Sequence, residues 1–134
     1  MAALDTNILV RFLVRDDTAQ HEAANALLQS AVDAEEPLYI PVSVTLELEW
    51  VLRSRFRVDK AAFELILTQL LAADELLFES EPAIESALSL YQEGSADFAD
   101  ALHDALAHAA GQSPLWTFDK AAAQLAGARL LTTA

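Results

Sequence analysis

The 134-residue chain contains no cysteine. That excludes a disulfide scaffold, a thiol nucleophile and any cysteine-ligated zinc or iron–sulfur centre. Glycine (three) and proline (four) are scarce, and neither clusters into a linker. No apolar run approaches the roughly 20 residues needed to cross a bilayer, and the opening MAALDTN carries no basic leader. A soluble cytoplasmic protein with no membrane partner is therefore expected. Cations are also few: eight Lys and Arg stand against 21 Asp and Glu, a formal net charge of −13. Taken globally, that balance argues against a basic face gripping nucleic acid and favours divalent cations or a basic protein partner. Hydrophobic residues make up 54% of the chain, over a length that fits one domain (about 100–150 residues is typical), so a single domain over 1–134 is expected.

Short apolar runs alternate with longer helical patterns. AAL at 2–4 is the first run, and TNILVRFLV reads as a helix starting at Asp5. A second helix is expected over 18–31, a strand over 38–43, a helix over 44–56 and another over 59–73. ELLFES at 75–80 reads as a strand, 82–92 as a helix, and 97–110 as a long helix ended by Gly111. PLWTF at 114–118 reads as a strand, Asp119 to Leu125 as a short helix, and ARLLT as an edge strand. The alternation predicts an α/β fold: a three-layer α/β/α sandwich on a small, mainly parallel sheet of four or five strands.

In open parallel sheets, sites form beyond the carboxyl ends of the strands. Asp5 and Asp119 each follow an apolar run and precede a helix, so both are expected on that edge. Taken singly, each could be no more than a helix N-cap. On the wheel from Val44 to Arg53, Thr45, Glu49 and Arg53 form a polar sector, which places Glu47 on the apolar side between Trp50 and Val51. A carboxylate there needs a partner, either an arginine or backbone amide that satisfies it or a metal. In SADFADALHDALAHAAG, Phe98, Leu102, Ala105, Leu106 and Ala109 form the core stripe, with Asp97, Asp100 and Asp104 opposite. Alone, these aspartates read as a solvated acidic face. Together with Asp5, Glu47 and Asp119, Asp100 completes an all-carboxylate set. Such a set would raise its own pKa values unless a hard cation such as Mg²⁺ or Mn²⁺ sat among it, and it suits metal-assisted phosphodiester hydrolysis.

ALDTNILVRFLVRDD, PVSVTLELEWVLRSRF, DFADALHDALA and TFDKAAAQL together resemble the PIN-domain family, and within it the VapC-type toxin ribonucleases of toxin–antitoxin pairs. The resemblance implies an endoribonuclease that is usually homodimeric, with one or two Mg²⁺ or Mn²⁺ ions in an acidic pocket and a basic antitoxin protein that plugs it. It places the family's acidic quartet on Asp5, Glu47, Asp100 and Asp119. Asp5, Asp100 and Asp119 would hold metal, and Glu47 would ligate it or orient a water that attacks phosphorus in line. Asp97 is a further acidic contributor, and Asn7 and Thr117 match polar positions that orient the carboxylates. His103 stands where relatives more often carry an aliphatic residue. The products implied are 5′-phosphate and 3′-hydroxyl ends of RNA.

Seven of the eight basic residues lie in or beside these segments, so a local basic rim could track RNA phosphates despite the net charge. Arg11, Arg15 and Arg53 are the candidates, and neutralisation of neighbouring acids is the competing role. A single-stranded loop is the expected RNA target. Three rival functions are weighed. A dehalogenase-like phosphatase needs a second Asp two positions after Asp5, where Asn7 stands. A histidine–aspartate phosphohydrolase, suggested by His103-Asp104, needs an all-helical fold and histidines beyond His21 and His108. A PIN-fold protein with little catalysis that acts by binding a partner or RNA remains the third.

Overall fold

The computed structural model describes residues 2–133 and divides into two compact units, Met1–Glu79 and Ser80–Ala134. In the first, α1 (Thr6–Leu13) and α2 (Thr18–Ala34) precede β1 (Leu38–Ile40), α3 (Val42–Phe56), α4 (Lys60–Ala72) and β2 (Leu76–Phe78). The β1 and β2 strands pair in parallel, Leu38 against Leu76 and Ile40 against Phe78. The first apolar run joins them only through one parallel bridge, Ala3 to Tyr39, with Leu4 N–H donating to Tyr39 O and Tyr39 N–H to Ala2 O.

Aspartate side chains fix three helix starts: Asp5 accepts from Thr6 N–H, Asp17 from Gln20 N–H and Asp59 from Ala62 N–H. Each such cap is typically worth ~1 kcal/mol, which is why these boundaries are legible from the residues. Strand β1 is shorter than the 38–43 expected. Pro41 cannot donate to a strand ladder, and its carbonyl already accepts from Val44 and Thr45 N–H, so helix begins at Val42 rather than 44. Pro41 has no capping side chain. Glu79 at the end of β2 supplies that function instead, its Oε1 accepting Val42 N–H at 2.8 Å. With glycine so rare, Glu35 and Arg57 adopt left-handed φ values of 53° and 55° to end α2 and α3.

The wheel reading of α3 is corrected. Thr45 and Glu49, expected on a solvated sector, are buried with Val44, Leu48, Val51 and Leu52, whereas Glu47 and Trp50 are exposed. Glu49 is only 5% exposed, and Arg53 Nε donates to its Oε2 at 2.8 Å. The expected pair forms, but around a buried carboxylate. Thr45 Oγ1, fully buried, has no hydrogen-bond partner among the described residues. Removing a buried hydroxyl without a partner is neutral or favourable. Thr45→Val should therefore leave the urea midpoint unchanged or raise stability by up to ~1 kcal/mol; a clear loss would show that the hydroxyl is bonded in solution.

In the second unit, α5 (Glu81–Glu93) and α6 (Phe98–Ala109) pack together through Tyr91 and Phe98, whose rings meet edge to face at 5.7 Å. Strands β3 (Leu115–Thr117) and β4 (Ala128–Leu130) pair in parallel, Leu115 against Ala128 and Thr117 against Leu130. The helix expected over Asp119 to Leu125 is a single 3₁₀ turn, Ala122–Gln124. Gly111, with φ of 72°, follows the end of α6 as expected. Asp104, expected on a solvated face, is 4% exposed, and its Oδ1 has no hydrogen-bond partner among the described residues. The backbone of Gly127 lies against that carboxylate so closely that a β-carbon there would collide with it.

Candidate functional site

In the first unit, one residue ties two of the expected acids together. Asp5 sits at the N-cap of α1, and its Oδ1 accepts the backbone N–H of Thr6 at 2.7 Å. The hydroxyl of Thr6, itself buried, donates to Glu47 Oε1 in a short hydrogen bond. Thr6 thus fixes one oxygen of each carboxylate, and among the described residues no hydrogen bond engages the other oxygen of either. Asp5 and Glu47 are both exposed, so those free oxygens meet solvent. Thr6 escapes a reading of the sequence because it sits inside DTN, where the flanking Asp and Asn draw the chemical attention. Asn7 is exposed on α1.

The expected phosphate contacts fare unevenly. Arg11 Nη1 bonds to both carboxylate oxygens of Asp16 at 2.7 and 2.9 Å, and its Nε donates to Gln20. Arg53 is committed to Glu49. Both guanidinium groups therefore neutralise acids of the chain itself. Arg15 is exposed and has no ion pair among the described residues.

In the second unit, the charges of Asp97 and Asp119 both act on Asp100. Asp100, in the first turn of α6, is half-buried, and its carboxyl is held above the usual range. Burial is the main cause, followed by the charges of Asp119 and Asp97, with His103 partly offsetting them. Asp97 occupies the N-cap position of α6, yet its side chain makes no capping bond. Asp119 is anchored twice: its N–H donates to Thr117 Oγ1 at 3.0 Å and its Oδ1 accepts Ala122 N–H at 2.9 Å. One oxygen of Asp119 is thereby oriented, and the other has no hydrogen bond among the described residues.

Residues 2–128 match the PIN-domain family. The chain belongs to that family. No curated protein sequence matches it. Six helices and two small parallel sheets among the described residues agree with the α/β class and with a three-layer α/β/α PIN fold. PIN domains are generally nucleases and typically bind divalent metals. In this PIN domain, no group of three or more His, Asp or Glu side chains among the described residues is already arranged to grip an ion. The donor chemistry nevertheless fits one. Every candidate ligand is a carboxylate oxygen, as Mg²⁺ and Mn²⁺ prefer. The raised carboxyl of Asp100 also marks a negative cluster that a divalent cation would relieve. No helix among the described residues is long and apolar enough to cross a membrane.

Proposed function

We propose that this single PIN domain, spanning 1–134, is a Mg²⁺- or Mn²⁺-dependent endoribonuclease of the VapC type. In this reading it is the toxin of a toxin–antitoxin pair, working in the cytoplasm as a homodimer restrained by a basic antitoxin. The observation that carries the reading is Asp100, whose carboxyl is raised first by burial and then by the charges of Asp119 and Asp97 beside it, an arrangement that a hard cation would relieve. Asp5, Asp100 and Asp119 would hold one or two ions, with Asp97 as an auxiliary acid. When bound, the metal supplies a lowered water pKa and offsets charge developing on the phosphoryl oxygens.

The chain's own groups do the rest. Thr6 holds Glu47 by Oε1, so Oε2 is free to take the proton of the attacking water. Thr117 would steady Asp119 by accepting its backbone N–H, and Asn7, exposed two residues after Asp5, would act as the second polar group at the site. Of the three arginines expected to contact phosphate, Arg15 is the one not engaged by an acid among the described residues, since Arg11 and Arg53 neutralise internal acids.

A second reading is favoured by the lack of a pre-arranged metal group among the described residues: a PIN-fold protein that binds RNA or a partner with little catalysis. One assay separates the two. Purified protein freed of partners is incubated with total RNA and Mg²⁺ or Mn²⁺, beside EDTA and Asp5→Ala arms. Discrete cuts leaving 5′-phosphates, lost in both control arms, establish the nuclease. Cleavage that survives Asp5→Ala points to a contaminant, and metal binding without cleavage favours the binding role.

A further inference from the structure

Burial alternates along the parallel pair of β3 and β4. Leu115, Thr117, Ala128 and Leu130 are half-covered, whereas Trp116 and Phe118 are 55% and 68% exposed and Leu131 is 45% exposed. Arg129, opposite Trp116 in the register and also exposed, lays its guanidinium over the indole ring, 5.5 Å from the centroid. Trp116 and Arg129 thus stand in solvent on one face of the strand pair, and Phe118, the residue after the end of β3, is exposed two positions on from Trp116. Aromatic residues are ordinarily spent on cores, so rings this exposed call for an occupant.

The charge pattern says which. Residues 80–134 contain only two Lys or Arg, Lys120 and Arg129, against seven Asp and Glu. Arg129 lies on this face, and Lys120 is exposed two residues after Phe118. Phe118 immediately precedes Asp119, whose carboxylate the nuclease reading places at the metal. Lys120 immediately follows it. A surface of aromatic rings and a guanidinium plane, with a second cation at its margin, suits unstacked bases joined by phosphates. Rings and arginine also enrich protein interfaces, and what favours RNA here is that Phe118 and Lys120 flank Asp119, the carboxylate that the nuclease reading places at the metal.

We propose that Trp116, Phe118 and Arg129 form a base-stacking platform for single-stranded RNA, which seats the strand beside Asp119. The proposal rests on the nuclease reading and supplies its substrate recognition. It also resolves the conflict between a net charge of −13 and an RNA substrate. Stacking does not depend on net charge, so the chain can hold RNA with few phosphate contacts. Two cations imply a slope of log affinity against log salt of about −1.4, since each phosphate neutralised on a single strand contributes about −0.7.

The sequence has two tryptophans, so Trp50→Phe in the full chain leaves Trp116 as the only indole reporter. A dodecamer of adenylate is titrated against this protein in EDTA, which prevents cutting, beside an abasic dodecamer with the same phosphates. The expected result is quenching by the adenylate strand and little by the abasic one. Trp116→Ala and Phe118→Ala, each followed by fluorescence polarisation of a labelled strand, should weaken binding by about tenfold. Trp116→Phe, which keeps a ring, should remain within about threefold of the parent, separating stacking from a folding defect.

Equal affinity for the abasic strand, or alanine variants that bind as well as the parent, overturns the proposal. So does a change of sedimentation from dimer to monomer in Trp116→Ala with RNA affinity intact, which would assign the face to a protein contact. Cleavage by the parent protein with Mn²⁺ is read in parallel. Cutting that persists while the alanine variants bind normally removes the platform and leaves the nuclease reading standing. Failure to bind or cut any RNA removes both.

Discussion

Asp100→Asn is expected to lower metal-dependent RNA cleavage by about 10³-fold or more, while making the protein more stable at neutral pH. The two effects share one cause. The Asp100 carboxyl sits above its ordinary value because burial and the charges of Asp119 and Asp97 disfavour its ionised form. Between the unfolded value and this raised folded value, the native state binds more protons than the unfolded chain. Stability therefore falls as pH rises through that window, and the deficit persists above it. An amide carries no charge and escapes the deficit. The variant should gain about 0.5–1 kcal/mol at pH 7, a modest figure because solvent still reaches the half-buried carboxyl and screens its neighbours. At about pH 3, where wild-type Asp100 is largely neutral in both states, the gain should vanish.

Urea unfolding at both pH values reads the stability, and gel analysis of a defined RNA reads the cleavage. Millimolar Mn²⁺ should then stabilise the wild type and not Asp100→Asn, because a ligand that binds only the native state shifts unfolding through its own affinity. A variant that cuts like the wild type would remove Asp100 from the site. A variant that is less stable at pH 7 would mean that its carboxylate holds the fold together.

Helix α3 shows where the sequence stops being legible. Polar residues occupy both of its arcs, with Glu47 and Ser54 on the exposed one and Thr45 and Glu49 on the buried one. A weakly amphipathic helix does not announce which arc faces inward. The pairing of Glu49 with Arg53 four residues on looks like surface decoration, and that appearance hides a buried carboxylate. The expectation that Glu47 sits on an apolar face fails for the same reason. What holds Glu47 is Thr6, some 41 positions away, and no local pattern encodes that bond. By contrast, the helix starts at Asp5, Asp17 and Asp59 are local chemistry, readable from one capping residue each. The strands are legible for a similar reason, since apolar runs bounded by Pro or polar residues are short-range signals. Their ends fall one to three residues short of expectation because the ladders stop where backbone partners stop, which is long-range information.

The same distinction makes Gly127 and Asp104 a test of long-range packing. Gly127→Ala should cost about 1–3 kcal/mol, because the added methyl meets the buried Asp104 carboxylate, which must shift within a packed interior to admit it. Conformational strain is not the cause, since Gly127 does not adopt the left-handed φ that Gly111 does. The cost should therefore disappear when the obstacle is removed. In an Asp104→Ala background, Gly127→Ala should be within ~0.5 kcal/mol of neutral, and the cycle of four urea titrations should return a coupling energy nearly as large as the single-mutant cost. Asp104→Ala by itself trades a buried oxygen lacking a hydrogen bond for a small cavity, two terms of opposite sign, so its own effect should be small. Asp104 lies one turn beyond Asp100 on α6, so the push exerted by the added methyl also reaches the helix that carries the candidate metal ligand. Cleavage should fall in Gly127→Ala and return with stability in the double variant. If Gly127→Ala is neutral in the wild-type background, the close approach is relieved in solution and the coupling to α6 falls with it.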